Sequence, residues 1–109
     1  MITWSDFEKI DIRTGTIIEV NDFSKARKPS YQLTIDFGQI GIKKSSAQIM
    51  HHYKKEELIN KQIVAVVNFP VKQIATFFSE CLVLGVYDEN NNVILLKPDK
   101  HVDNGLKIG

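Results

Sequence analysis

The stretch KQIVAVVNFPVKQIATFFSECLVLG, residues 61–85, decides the fold. It contains two apolar strands on either side of a polar turn that carries Lys72. Asn68 lies at the end of the first strand, and Ser79 and Glu80 lie at the start of the second, so polar side chains flank the turn on both sides. Strand pairs with polar groups at the loop end are typical of small β-barrels that bind extended polymers. The pattern therefore predicts a binding module rather than an enzyme.

The composition predicts one globular domain over residues 1–109. With a mass of 12.4 kDa and 43% hydrophobic residues, the chain is long enough for one core and too short for two. The N-terminal sequence has neither a basic leader nor a long apolar run, so we expect a cytoplasmic protein without membrane insertion. The single cysteine, Cys81, excludes an internal disulfide and is predicted to be a buried, inert thiol.

The charges are unevenly distributed along the chain. Residues 25–72 contain nine basic and three acidic residues, a net charge of +6, whereas the rest of the chain carries −5. A basic middle between acidic ends indicates a polyanion partner for one face. The alternative is an ordinary solvated surface on which these charges mix in space.

Alternating apolar and polar residues predict the first strands. Residues 31–37 alternate strictly between apolar and polar residues, as expected for a half-buried strand. An earlier strand is predicted to bend at Gly15. Arg13 and Glu19 lie on one of its faces, and the opposite face is formed by Ile12, Thr14, Thr16, Ile18 and Val20. A third strand is predicted over 42–48, a short helix over 52–60 that Asn60 ends in a left-handed conformation, and further strands over 63–69, 82–87 and 93–96. Turns are predicted at 88–92 and at 103–105, before a last segment over 106–108.

These elements predict an all-β, five-stranded OB-fold barrel with a short helix between strands 3 and 4. The terminal extensions are expected to form a dimer interface, because the run 93–96 is too apolar for the edge of a monomer. The monomeric alternative buries this run under Trp4, Phe7 and Ile10.

No motif predicts catalysis, a cofactor or a metal site. His51 and His52 lack a third ligand at metal-binding spacing and are interpreted as a surface pair. Residues 88–93 have Val93 where a calcium loop needs glycine, so they are interpreted as a hairpin turn. A small apolar-pocket enzyme is the last of the functional hypotheses.

One set of polar and basic residues suits a nucleic-acid surface. Lysines displace counterions from phosphates, and Asn, Gln and Ser side chains bond to base edges and 2′-hydroxyls. In an OB barrel, strands 2 and 3 and the loop before the last strand face one groove. The predicted RNA- or peptide-binding residues are Arg13, Lys43, Lys44, Ser46, Asn68, Lys72, Gln73, Phe78, Ser79 and Glu80, with the neighbouring Ser45. The alternative is that Asn68 and Ser79 only satisfy backbone groups at strand ends.

Five segments resemble the tRNA-binding domain family, which includes C-terminal appendages of methionyl-tRNA synthetases. They are FEKIDIRTGTI (7–17), LTIDFG (33–38), IKKSSAQI (42–49), YKKEELINKQIVAVVNFP (53–70) and SECLVLG (79–85). Within the family, these motifs are most similar to the stand-alone CsaA-type secretion chaperones. The resemblance implies an OB fold, a dimer formed through terminal extensions, and binding of both tRNA and unfolded polypeptides. RNA-facing positions carried over from the family would be Lys43, Lys44, Ser46, Asn68, Lys72, Gln73 and Ser79.

The chain departs from the family pattern in the polar turn. Gln73 and Thr76 stand where relatives have a second basic residue and a glycine, and Phe78 replaces a commonly polar residue. These departures weaken the expectation of tRNA binding and strengthen that of peptide binding, although at least one of the rings of Phe77 and Phe78 is expected to be buried.

The sequence leads to a ranked set of functions. The favoured hypothesis is an export-related holdase that binds unfolded polypeptides and can also bind tRNA or other RNA. The alternative is a tRNA-binding module that acts with an aminoacyl-tRNA synthetase or in tRNA handling. A third hypothesis is a structural partner that docks on a synthetase. The expected partners are tRNA, unfolded or export-destined polypeptides, and a second copy of the chain.

Overall fold

A computed structural model describes all 109 residues. The chain forms nine strands, two short α-helices and one 3₁₀ turn at Gly38–Ile40. In chain order the strands and α-helices are α1 (Trp4–Glu8), β1 (Ile12–Asp22), β2 (Tyr31–Asp36), β3 (Ile42–Ala47), α2 (Lys55–Leu58), β4 (Gln62–Val66), β5 (Lys72–Ile74), β6 (Phe77–Ser79), β7 (Leu82–Val83), β8 (Gly85–Tyr87) and β9 (Val93–Leu95). Neither helix is long or apolar enough to cross a lipid bilayer.

The main sheet is a nearly closed antiparallel barrel of five strands in the order β3-β2-β1-β4-β7. Strand β1 is long enough to pair with β4 through its first half and with β2 through its second half. Two separate hairpins, β5–β6 and β8–β9, project from the connections around β7. The predicted all-β, OB-like fold is confirmed.

The core fills the barrel with aliphatic and aromatic side chains. Ile17, Leu33, Ile35, Phe37 and Ile63 are completely buried between the strands. The predicted alternation of residues 31–37 is confirmed, because the odd-numbered residues are buried and the even-numbered ones are half-buried.

The prediction that Ile12 to Val20 present one continuous face of β1 is wrong. Ile17 is fully buried, whereas Ile18 is 42% exposed. The pairing with β2 shifts register between Ile17 and Glu19, which is a β-bulge, and one extra residue reverses the alternation that follows it. Thr14 is buried for a different reason, since its hydroxyl donates to the Asp103 carbonyl (2.9 Å) beneath the C-terminal segment.

The glycine at the predicted bend is required by packing. A Cβ atom at Gly15 would lie 2.7 Å from Cε1 of Phe37 and 2.8 Å from Cγ2 of Ile35. Because both neighbours are fully buried, they have little room to move away. Gly15 therefore lets β1 pass closely over the aromatic ring that fills the barrel.

Several predicted boundaries differ from the structure. The helix predicted over 52–60 is the single turn α2, although Asn60 does adopt the expected left-handed conformation (φ 67°). The strand predicted over 63–69 ends at Val66. The strand predicted over 82–87 is divided in two, because β7 pairs with β4 whereas β8 pairs with β9.

The C-terminal segment turns back along β1. After the predicted turn at 103–105, the Leu106 carbonyl accepts from Thr14 N (3.0 Å), and Ile108 N donates to the Ile12 carbonyl (2.8 Å). The segment predicted over 106–108 thus lies against β1 and forms only an isolated bridge between Arg13 and Lys107.

Candidate nucleic-acid and polypeptide interface

The barrel closes where residues 79–81 meet β3. Glu80 N donates to the Lys44 carbonyl (2.7 Å), and Lys44 N donates to Glu80 Oε1 (2.9 Å). Glu80, one of the predicted ligand-binding residues, therefore uses its backbone and its carboxylate to hold the two sides of the barrel together.

The serines at this closure have different surroundings. Ser45 is buried, and its hydroxyl donates to the Cys81 carbonyl (3.0 Å). Ser79 Oγ accepts a hydrogen bond from Ser46 N (3.3 Å). The hydroxyls of Ser45 and Ser79 thus join β3 to the last part of the barrel, whereas the Ser46 side chain, half-buried on β3, makes no hydrogen bond within the protein.

Two other predicted site residues belong to a cluster that joins the chain ends to the barrel. Asn68 Oδ1 accepts from Asp11 N (3.0 Å), and its Nδ2 donates to the Lys9 carbonyl (2.8 Å). Arg13 pairs with Asp11 (2.6 Å) and donates to the Gly105 carbonyl (3.0 Å). We call Asp11, Arg13 and Asn68 the anchor cluster. Its Asn68 amide satisfies backbone groups, as the structural alternative predicted.

The remaining predicted residues have mostly free side chains. Lys44, Lys72 and Phe78 are exposed, Lys43 is half-buried, and none of the three lysines forms an ion pair. Lys72 pairs across the β5–β6 hairpin with Ser79, which bonds to Ser46 on β3. The hairpin and β3 are thereby neighbours, and we call Lys43, Lys44, Ser46, Lys72, Gln73 and Phe78 the open cluster.

The tip of the β5–β6 hairpin is stabilised locally by Gln73. Its Nε2 donates to the carbonyl of Ala75 (3.0 Å), a residue with a left-handed backbone (φ 54°). The residue that most needs glycine's conformational freedom here is thus Ala75 rather than Thr76. The side chain of Gln73 is exposed and stays close to the surface of the hairpin.

An aromatic contact that the sequence analysis missed joins the hairpin to the β1–β2 loop. The rings of Phe23 and Phe77 are 5.3 Å apart at an angle of 55°, and both residues are buried. Phe77 is therefore the buried ring of the Phe77–Phe78 pair, as expected. The contact brings the basic loop, with Lys25, Arg27 and Lys28, to the same end of the barrel as the hairpin.

An apolar cavity of about 300 Å³ lies beside the open cluster. Its lining includes Phe69, Pro70, Leu82 and the predicted site residues Lys72 and Ser79. Phe69 and Leu82 in its lining expose about half of their surface (55% and 49%). Phe78 is similarly exposed (54%) but lies outside the lining, on β6. This end of the groove therefore offers apolar contact area next to a free ammonium group.

Cys81 also lines this cavity and is chemically inert there. Burial raises the pKa of its thiol to about 12, while the positive charge of Lys43 acts in the opposite direction. The thiol therefore stays protonated near neutral pH, and thiolate chemistry requires the deprotonated form. The cysteine contributes packing to the barrel wall.

The histidine pair has a structural contact instead of a ligand set. His52 Nε2 lies 2.8 Å from Asp88 Oδ2, which connects the segment after β3 to the β8–β9 turn. Hydrogen bonds from the Asn92 backbone and from His52 lower the pKa of Asp88 below its usual value. No three His, Cys, Asp or Glu side chains converge as a metal site would require.

Known proteins provide a direct comparison for this fold and surface. The model of the putative tRNA-binding domain family matches residues 12–107. Methionine–tRNA ligases of Pyrococcus horikoshii and Pyrococcus abyssi are 37% and 36% identical over 98% of the chain. The chain spans only 14% of the length of each of these ligases.

Solved structures match the whole chain. A crystal structure of the chaperone CsaA from Bacillus anthracis has a TM-score of 0.95 and 50% identity, covering 100% of this chain and 99% of the other. The CsaA chaperone protein from Picrophilus torridus has a TM-score of 0.93 and 59% identity, with complete coverage of both chains. The chain therefore belongs to the putative tRNA-binding domain family, with CsaA chaperones among its relatives.

Proposed function

We propose that the protein is an export-related holdase that binds unfolded polypeptides, and that the same surface binds tRNA. The observation that carries this proposal is the apolar cavity beside Lys72, with Phe69 and Leu82 exposed in its lining. The high identity to two CsaA chaperones supports the chaperone assignment. The proposed role is binding in the cytoplasm, without catalysis or a cofactor.

The polypeptide part of the proposal follows from the chemistry of the cavity. Unfolded chains expose apolar side chains, and burying such a side chain contributes about 1.5–3 kcal/mol. Phe69 and Leu82 can receive one side chain in the cavity, while Phe78 extends the apolar surface along the hairpin. Lys72 adds an attraction for carboxylates and backbone carbonyls of the bound segment.

The tRNA part of the proposal rests on the family and on charge. Lys44 and Lys72 are exposed and free of ion pairs, so their ammonium groups are available to phosphates. The β1–β2 loop adds Lys25, Arg27 and Lys28 at the end of the barrel that Phe23 and Phe77 share. Phosphate binding of this kind makes affinity depend steeply on salt.

A competition experiment tests both parts. Fluorescein-labelled tRNA is titrated with the protein at several salt concentrations, first alone and then with excess unfolded, signal-bearing polypeptide. We expect affinity to fall steeply with salt and the polypeptide to displace tRNA. Salt-independent binding contradicts the tRNA part. Independent binding of both ligands places them on separate surfaces.

The holdase activity needs its own assay. A stoichiometric amount of protein should suppress the aggregation of a chemically unfolded client diluted into buffer, and Phe78→Ser should reduce this effect. A matched control is Ile18→Ser, which removes an exposed apolar side chain from β1, outside the cavity lining and outside the run 93–96. If the protein binds no unfolded chain, the holdase part of the proposal is wrong.

A second candidate is a tRNA-binding module that acts with an aminoacyl-tRNA synthetase. It is favoured by the match to a short region of methionine–tRNA ligases. Co-purification with a synthetase, combined with tight tRNA binding and no suppression of aggregation, would favour this candidate.

We also propose that the protein is a homodimer. Trp4 is 87% exposed, and Ile94 and Leu96 remain about 40% exposed, so the N-terminal segment does not bury the apolar run 93–96 as the monomeric alternative required. A cavity of about 750 Å³ lined by Ile2, Trp4 and Phe7 lies at the joined chain ends. Analytical ultracentrifugation should give twice the 12.4 kDa mass of one chain, and a monomer at micromolar concentration contradicts the proposal.

A further inference from the structure

A third, polar cleft lies beyond the open cluster, apart from the Phe69 cavity and from the cavity at the chain ends. Its volume is about 430 Å³, within the range of clefts that hold small molecules. It lies between the β1–β2 loop, the segment after β3 and the β8–β9 turn. Its walls include Lys28, Gln48, Met50, His51, Asn91 and Asn92.

The amide side chains of this cleft have no partners within the protein. Gln48, Asn91 and Asn92 make no side-chain hydrogen bond, although each amide offers two donors and an acceptor. Some other amides are engaged, since Gln62 bonds to both the N–H and the carbonyl of Val102, and Asn68 bonds to two backbone groups. Exposed amides such as Gln39 and Asn90 are also unpartnered, but they do not line this cleft, which brings three such amides together. The cleft thus groups amides whose hydrogen-bonding capacity is unused.

The wall formed by the β8–β9 turn is held in place. Asp88 Oδ1 accepts from Asn90 N (2.8 Å) and Asn92 N (2.9 Å), and Asp88 Oδ2 contacts His52 Nε2 (2.8 Å). These bonds join the turn to the segment that supplies Met50 and His51. The Asp88 carboxylate is engaged in them and does not line the cleft, so Lys28 carries the formal charge there.

The cleft lies in line with the outward-facing side chains of β3. Side chains two residues apart on a strand share a face, so Gln48 extends the row of Lys44 and Ser46 just beyond the strand end. The row from Lys44 to Gln48 spans about 13 Å. A nucleic-acid strand that follows Lys44 and Ser46 along β3 would therefore reach the cleft.

We infer that this cleft is a nucleotide subsite, in which the Gln48 and Asn92 amides bond to the edge of an unpaired base and Lys28 contacts its phosphate. Met50 supplies an apolar surface for the face of the base. The cleft is lined by more polar side chains than the Phe69 cavity, with Met50 in place of Phe69 and Leu82, which favours a nucleotide over an apolar peptide side chain. The inference rests on the RNA binding in the proposed function.

The test uses a double variant, Gln48→Ala with Asn92→Ala, and a matched control, Gln39→Ala with Asn90→Ala. The control removes the same two amides from exposed positions that do not line the cleft. Each protein is titrated with fluorescein-labelled oligouridylate and with an abasic oligoribonucleotide of equal length, at several salt concentrations. In parallel, the tRNA affinity of the Lys44→Ala/Lys72→Ala variant is measured by letting unlabelled tRNA compete with the labelled oligouridylate.

We expect the cleft variant to bind oligouridylate about tenfold more weakly, with no change for the abasic strand and an unchanged salt slope. Lys28→Ala should weaken both strands equally and reduce the slope of log K against log salt by about 0.7. Equal behaviour of the cleft variant and its control overturns the inference while leaving the proposed function intact. If the wild-type protein binds no RNA, both the inference and the tRNA part of the proposed function are overturned. Loss of polypeptide binding instead of RNA binding reassigns the cleft to polypeptide and also overturns the inference.

Discussion

The anchor cluster and the open cluster are both polar and lie close together along the chain, yet they have opposite bonding. Asn68 of the anchor cluster and Lys72 of the open cluster are separated by only three residues. Asn68 bonds to the backbone at Asp11 and Lys9, so its amide is fully used. Lys72 extends from a hairpin and has no ion pair. Residue type alone does not separate a polar group that holds the fold from one that is free for a ligand.

The difference follows from what each segment faces. Residues 67 and 68 still lie beside the N-terminal segment, where unpaired backbone groups need partners, and Val67 N also donates to the Asp11 carbonyl (2.8 Å). Residues 72–79 leave the barrel and form a separate hairpin. Substitutions at residues 67 and 68 should therefore change the free energy of unfolding, and substitutions at residues 72–79 should change ligand affinity.

The largest expected effect is on tRNA affinity. Lys44→Ala combined with Lys72→Ala should weaken tRNA binding about 30-fold at 0.1 M salt, because two phosphate contacts and their counterion release are lost. Fluorescence anisotropy across a salt series measures this change. Lys100→Ala combined with Lys107→Ala removes the same charge from the C-terminal segment and serves as the control. An equal loss in both variants would show that only net charge matters.

Removing the Asn68 amide should affect stability instead. Asn68→Ala should lower the free energy of unfolding by about 1–2 kcal/mol, because two hydrogen bonds to backbone groups are lost. Urea denaturation measures the change, and Asn90→Ala, at an exposed asparagine without side-chain bonds, is the control. If Asn68→Ala is as stable as the wild type but loses tRNA affinity, Asn68 belongs with the ligand-binding residues.

The thiol at the boundary of the apolar cavity provides a pH test. The pKa of Cys81 is raised from 9.0 in the unfolded chain to about 12 in the fold. The unfolded state therefore releases its proton first, and the stability contribution of Cys81 is complete below pH 9. It is then lost by about 1.4 kcal/mol per pH unit as the pH rises toward 12.

This pH dependence is measured as the difference between the wild type and Cys81→Ala, since lysines and tyrosines titrate in the same range. A thiol reagent at pH 8 should react slowly with the native protein and rapidly in urea. Rapid reaction of the native protein would show that the thiol ionises readily in the cavity that it lines, contrary to its raised pKa.

The smallest expected effect distinguishes the two roles of Glu80. Glu80→Gln keeps an oxygen that can accept from Lys44 N but removes a negative charge beside Lys43 and Lys44. If Glu80 only closes the barrel, tRNA affinity should rise about two- to threefold. Glu80→Ala, which also removes the acceptor, should be less stable in urea. A loss of tRNA affinity in Glu80→Gln would indicate that the carboxylate contacts the ligand.

Local patterns were sufficient for elements without irregularities. The alternation of residues 31–37 located β2, and the polar turn at 88–92 located the link between β8 and β9. The inward face of β1 could not be predicted in the same way, because the bulge after Ile17 reverses the alternation without a distinct residue signal. The strand predicted over 82–87 was read as continuous, since apolar letters do not show that the chain changes partner near Leu84.

The residues of the candidate site were also predicted only in part. Lys44 and Lys72 were predicted from their charge and position, and Phe78 from its departure from the family pattern, and all three are exposed in the structure. Glu80, Ser79 and Asn68 were chosen by the same criteria, but their bonds run to distant segments. The Phe23–Phe77 contact was missed because the two rings are far apart in the sequence, and their pairing depends on the way the barrel closes.

By itself, the sequence determined the all-β class, the OB-like order of elements and the basic middle of the chain, because these depend on periodicity, turn residues and composition. Only the tertiary structure decided which polar side chains are hydrogen-bonded within the protein and which remain free for a ligand. That division is made by hydrogen bonds between residues 30 or more positions apart, such as Lys44 with Glu80 and Asn68 with Lys9. No local pattern encodes such pairs, so the surface available to RNA or polypeptide is defined only when the barrel closes.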